Sequence, residues 1–201
     1  MKTLKIFVVI MIVVALLIVP STAFASYAYD YARDDFNWGL FCLDQADECW
    51  SMLGLTYTSY YGPGFQSGSF KLNCSSGNGV YADTHGSPDS IADDAGYSIT
   101  RWDVSSYRNG DWKRLIFLDA CDTADNSNWA SAWGISNGDG SLHTYLGWVG
   151  YSYDNYHYAF FTDWFYQKVQ DHYSIKYSIE RASAETGVTN YRYYGNPNWY
   201  F

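Results

Sequence analysis

Leu115, Ile116, Phe117 and Leu118 form an unbroken apolar run closed by Asp119, the pattern of a strand buried on both faces of a parallel sheet. Val80, Tyr81 and Ala82 make a shorter run of the same kind that stops at His85-Gly86, and residues 142–149 make a third. Aromatic residues alternate with small or polar ones over 26–32, which predicts a first strand; the β-rich stretch 56–61 predicts a second, and 190–201 a last one broken by Gly195 and Pro197. Between these runs the spacing turns helical. Leu43, Ala46, Trp50 and Leu53 recur on one side of residues 36–53, with Asp34 or Asp35 as cap and Gly54 as stop. Asp154 or Asn155 opens an aromatic helix that runs to about Asp171, and Ile175, Ile179 and Ala182 mark another over 174–185 that Gly187 ends. Residues 127–133 read as a short helix, and 97–107 as a hairpin or short helix. Asn109-Gly110 makes a turn, and 62–79, with five glycines and Pro63, reads as a surface loop. Strands alternating with helices predict an α/β chain with a mostly parallel sheet, one domain over 26–201 and no internal repeat.

The first residues change the setting. Lys2 and Lys5 precede fourteen apolar residues, 6–19, and then Ala23-Phe24-Ala25, the charge, apolar core and small-residue site of a secretory leader over 1–25 that is too short to span a bilayer comfortably. Cleavage before Ser26 leaves 176 residues, enough for a sizeable core. The product is expected to be secreted or held at the cell surface, with no stable membrane insertion. Its net charge, −9 for the whole chain, falls to about −11 without the two leader lysines. That excludes the electrostatic footprint of a nucleic-acid binder. Nine Trp, 21 Tyr and 11 Phe fill a core and supply contact surface, with carbohydrate stacking as the other use.

Four cysteines, Cys42, Cys49, Cys74 and Cys121, enter an oxidising compartment. On a helix Cys42 and Cys49 are two turns apart, about 10 Å, too far for a disulfide. The expectation is that Cys74 bridges to one of them and Cys121 stays free. No close pair of cysteines suggests a metal. His143, His157 and His172 read as ordinary packing or surface residues, and Asp93, Asp94, Asp122 and Asp125 as solvated loop carboxylates, with calcium as the alternative. No cofactor is implied.

Cys121 and His85 each follow the carboxyl end of a predicted strand, where open α/β sheets place their ligand sites. A thiol is a weak nucleophile until a neighbouring base takes its proton, and imidazole suits that task. The glycine next to His85 leaves a backbone amide open to an oxyanion. A hydrophobic strand ending in His-Gly, followed by one ending in Ala-Cys, resembles the caspase-like cysteine peptidases, nearest in motif to gingipains, clostripains and CHAT domains. The order strand, helix, strand, His-Gly strand, Ala-Cys strand, further strand and helices is similar over most of the mature chain. The closing YYGNPNWYF also looks like their Gly-Asp-Pro strand, with Asn196 for Asp. The resemblance implies a three-layer caspase-like sandwich. It implies Cys121 as nucleophile, His85 as general acid and base, and the Gly86 and Cys121 amides as oxyanion hole. Asp119 before the Ala-Cys, and Asp122-Thr123 after it, depart from the caspase pattern and resemble clostripains and metacaspases, which cleave after Arg or Lys. By that likeness Asp119 receives a basic side chain; Trp148 and Ser152, at and just beyond the end of the next predicted strand, are candidate pocket-wall residues by topology alone. The partner is then a peptide or protein substrate. The other readings are an inactive extracellular binding module of the same fold and a carbohydrate-active enzyme built on paired carboxylates.

Overall fold

The computed structural model describes residues 26–74, 76–107, 114–138 and 141–201; the leader and the Asn109-Gly110 turn lie outside them. The strands in chain order are β1 (Tyr27–Ala32), β2 (Thr56–Tyr61), β3 (Gly79–Asp83), β4 (Ser90–Ala92), β5 (Ser98–Thr100), β6 (Arg114–Asp119), β7 (His143–Trp148) and β8 (Tyr191–Gly195). The helices are α1 (Gly39–Met52), α2 (Ser67–Asn73), α3 (Arg101–Tyr107), α4 (Asn128–Ala132), α5 (Tyr156–Gln170) and α6 (Ile175–Thr186). Six strands form one sheet in the order β2-β1-β3-β6-β7-β8, parallel except for β8, which runs antiparallel to β7. β4 and β5 pair as a separate small hairpin.

The apolar run that predicted the central strand is buried at every position of β6. Its residues divide by parity, as a strand requires. Leu115 and Phe117 join a core with Trp50, Tyr81, Trp148, Phe165 and Tyr166 beneath α1, α5 and α6, whereas Ile116 and Leu118 join Tyr31, Phe65, Phe70, Trp129 and Tyr145 on the opposite face. Helices therefore cover both faces. β2, rich in Thr and Tyr, is an edge strand and mostly exposed.

Helix ends follow local chemistry. Asn155 caps α5 by accepting from the amides of His157 and Tyr158, Ser174 caps α6 through Tyr177 N–H, and Gly187 ends α6 at φ +73°, a left-handed conformation that favours glycine. Three expectations change. Residues 62–79 are no loop: a 3₁₀ turn (Gly62–Gly64) and α2 occupy them, because Phe65 and Phe70, 1% and 0% exposed, anchor the segment in the second core. Neither Asp34 nor Asp35 caps α1, whose N-cap is Trp38. The expected Cys74 bridge does not form, because the sheet separates Cys74 from Cys42 and Cys49 and all four cysteines are free thiols. Among the described residues no helix is long and apolar enough to cross a membrane.

Candidate functional site

Four loops leave the carboxyl ends of parallel strands on one side of the sheet: 33–38 after β1, 84–89 after β3, 120–127 after β6 and 149–155 after β7. They enclose a cleft of about 250 Å³ to which His85, Cys121, Asp119 and Ser152 all contribute, together with Phe36, Trp38, Asp83, Asp154 and Tyr158.

Backbone bonds fix both reactive loops. His85 O accepts from Ala92 N at 3.1 Å, Thr84 N donates to Asp119 O at 3.2 Å, and the Thr84 hydroxyl closes on Ala92 O. Beyond β6 the chain turns sharply: Thr123 Oγ1 donates to Ala120 O at 2.8 Å, and Asp122 adopts φ +60° and donates its N–H to Gly150 O at 2.7 Å. Gly86 is what lets these loops touch. A Cβ there would lie 2.7 Å from both the Ala120 Cβ and the Cys121 carbonyl oxygen, closer than real contacts allow.

The Cys121 thiol is partly exposed and faces Ser152. Ser152 N donates to Sγ at 3.3 Å, while Ser152 O and Oγ lie 3.4 and 3.5 Å away. The His85 side chain, 61% exposed, rests edge-on against Phe36 with ring centroids 4.9 Å apart, and its Nε2 lies 3.6 Å from Asp35 Oδ2. Arg33 grips Asp35 with two parallel bonds, Nε to Oδ1 at 2.8 Å and Nη2 to Oδ2 at 2.7 Å. That pairing, above all, holds the Asp35 carboxyl below the usual carboxylate range.

Asp119 is buried, and its oxygens accept from Trp148 Nε1 at 2.6 Å, Tyr81 OH at 3.0 Å and Thr162 Oγ1 at 3.2 Å. Burial nonetheless pushes its pKa up to about 6, against the three donors. Asp83 is pushed well up by burial first and then by Asp119, Asp154 and Asp35. Asp154 joins two of the loops: Oδ2 accepts from Asn37 N and Nδ2 at 2.8 and 2.7 Å, and Oδ1 from Trp38 N at 3.1 Å. Among the cleft's lining residues there is neither Lys nor Arg. Among the described residues no cluster of three or more His, Cys, Asp and Glu side chains is arranged to hold a metal.

Of the residues expected at a site, His85, Cys121, Asp119 and Ser152 line the cleft, while Gly86 packs against Ala120 and Cys121 without lining it and Trp148 stands apart. Trp148 is fully buried beneath the cleft, where it supports Asp119 and forms no wall. Asp35, Asp83 and Asp154 were not anticipated as site residues. Asp83 had a legible signal: it precedes His85 by two positions, as Asp119 precedes Cys121. Asp35 and Asp154 carried none, since loop aspartates have no periodicity.

Fold and site together define an α/β protein whose mostly parallel sheet presents a free thiol, an imidazole and three carboxylates in one cleft. No protein-family model matches the chain, and no curated protein matches it.

Proposed function

We propose that the protein is a secreted cysteine endopeptidase of the caspase-like fold that cleaves after basic residues. The observation that carries this reading is the meeting of His85 and Cys121, from the ends of β3 and β6, in one cleft. The chain order of the sheet's elements, up to the Ala-Cys strand and the strand and helices after it, supports the three-layer caspase-like sandwich. Cys42, Cys49 and Cys74 are 2, 0 and 1% exposed, which leaves Cys121 as the most accessible thiol.

In this mechanism the Cys121 sulfur, its proton drawn off by His85, attacks the carbonyl carbon of the scissile amide. The developing oxyanion is received by the Gly86 and Cys121 amides. His85 returns the proton to the departing amine, then takes one from water as hydroxide attacks the thioester and releases Cys121. The step requires the exposed imidazole to turn from Asp35, where it is anchored, to the sulfur; unliganded sites often hold such pairs loosely. Asp83, Asp119 and Asp154 give the cleft the sign that attracts a Lys or Arg side chain, and Trp38 and Tyr158 supply aromatic walls for it.

The test is chemical. Iodoacetamide and an arginyl peptide electrophile are expected to label Cys121 at neutral pH, His85→Ala to slow labelling at least tenfold, and fluorogenic peptides ending in Arg to be hydrolysed faster than those ending in Asp or Asn. One observation favours an inactive binding module instead: the thiol's hydrogen-bond partners all belong to Ser152 and none to His85. Equal labelling of the wild-type and His85→Ala chains would decide for that reading.

A further inference from the structure

We infer that an aromatic ledge beside the cleft, formed by Trp38, Phe41, Tyr156 and Phe160, binds an aromatic or large aliphatic substrate side chain two positions from the basic residue. This rests on the peptidase reading and names its substrate class more narrowly: cationic peptides carrying an apolar residue at that offset.

Single exposed aromatics are ordinary on a protein surface, but a contiguous group against a cleft is not. Trp38 from the loop before α1 meets Phe41 at 5.7 Å and Phe160 of α5 at 6.2 Å; Phe41 and Phe160 lie 6.2 Å apart, and Tyr156 reaches Phe160 at 6.3 Å. These edge and tilted contacts hold each ring by its neighbours, so little side-chain freedom remains to be lost on binding. Phe160 and Tyr156 are still 42% and 52% exposed.

Trp38 belongs to both features. It lines the cleft, its ring packs against Phe160 of the ledge, and its amide is held by Asp154, a carboxylate of the same cleft. The ledge is therefore continuous with a pocket lined by three carboxylates and no cation, and that charge selects a cationic occupant. In an extended peptide the side chains of residues i and i+2 lie on one side, about 6.6 Å apart, comparable with the 6.2 Å from Trp38 to Phe160. A basic side chain entering the cleft thus brings the residue two positions away over Phe160.

The test uses the Cys121→Ala chain, which cannot turn peptides over, and calorimetric titration with acetyl-Ala-Ala-Arg-Ala-Ala-amide. Its two relatives carry Phe two positions before or two positions after the arginine, and a control peptide has Ala for Arg. One Phe peptide is expected to bind about three- to tenfold more tightly than the parent, the range of aromatic pair contributions. Adding Phe160→Ala or Tyr156→Ala removes that advantage, with circular dichroism unchanged. A flat response to Phe at both positions, or an advantage that survives Phe160→Ala, overturns the ledge while leaving arginine dependence intact. Equal binding of the Arg and Ala peptides overturns the basic-residue reading and the ledge with it. A dimer, or chito-oligosaccharide binding, abolished by Phe160→Ala would give the ledge to a second copy or to a glycan and also overturn the proposal.

Discussion

Asp83 and Asp119 are register partners on the adjacent parallel strands β3 and β6, and both carboxyls lie at the floor of the same cleft. Burial is the larger cause of the raised titration of both; the Asp119 charge then pushes Asp83 further up, and the Asp154 charge does the same to Asp119. The cleft floor is therefore only partly charged in mildly acidic solution and gains negative charge as the pH rises.

A pH dependence of substrate binding follows. Asp119 titrates at about 6, so between pH 5 and pH 7 the floor becomes a stronger acceptor for a guanidinium. KM for an arginyl peptide is expected to fall by several-fold over that interval, while KM for the corresponding alanyl peptide stays nearly level. An identical response from both peptides would remove Asp119 and Asp83 from recognition.

Asp35 is expected to position His85. Arg33 binds both carboxylate oxygens, Oδ2 being the one that also faces the imidazole, and that grip favours the ionised carboxylate. Asp35→Asn keeps the size but removes the charge facing Nε2, and is expected to lower kcat on an arginyl peptide about tenfold or more with KM changed little. Asp35→Glu recovers part of the loss. A KM effect equal to the kcat effect, or no rescue by Glu, would show a merely structural role.

Gly86 admits no side chain. Because the atoms a Cβ would meet include the Cys121 backbone carbonyl, the conflict cannot be relieved by moving a flexible side chain. Gly86→Ala is expected to cost about 1–3 kcal/mol of stability and to displace the amide offered to the oxyanion, lowering kcat by about 10²-fold or more. Guanidinium unfolding and steady-state kinetics read the two effects separately; an alanine variant with wild-type values of both would show that the loops stand further apart.

The fold was legible where periodicity and burial agree. Leu115 to Leu118 announced the central strand because both faces of β6 are covered, and Ser174 with Gly187 bracketed α6 because caps act locally. Residues 62–79 misled because glycine content outweighed two phenylalanines whose burial depends on strands far away in sequence. The disulfide expectation failed for a related reason: spacing along the chain does not say which face of a sheet a cysteine joins. His85 and Cys121 could be found because each follows a strand end. Asp35 and Asp154 could not, since their roles rest on contacts with His85 and with Asn37 and Trp38 across the cleft.

Asp30 in β1 is fully buried; its Oδ1 accepts from Trp50 Nε1 at 2.8 Å. Its register partner in β2, Ser59, donates to Asp47, and Asp30 Oδ2 is buried with no hydrogen-bond partner. Burial above all, with the nearby Asp47 charge, pushes the Asp30 carboxyl well up against the Trp50 bond. The folded chain thus holds a proton that the unfolded chain releases near pH 4. Above that pH the unfolded state binds fewer protons, so this group's contribution to stability declines as pH rises toward its folded value. Asp119, Asp83 and Asp47 act with the same sign, and Asp35 with the opposite sign only below pH 4. Tm is therefore expected to be highest in mildly acidic solution and to fall toward neutrality. Asp30→Asn keeps an oxygen for Trp50 and replaces the partnerless, titrating Oδ2 by an amide that does not titrate. It is expected to raise Tm at pH 7 by about 2–4 °C, roughly 1 kcal/mol for a chain of this size, and to make the decline shallower. Asp30→Leu leaves Trp50 Nε1 without its acceptor and lowers Tm at every pH. Calorimetric scans between pH 5 and pH 8 check this; an asparagine variant less stable than wild type at pH 7, with an unchanged slope, would mean that Asp30 is ionised in the folded chain.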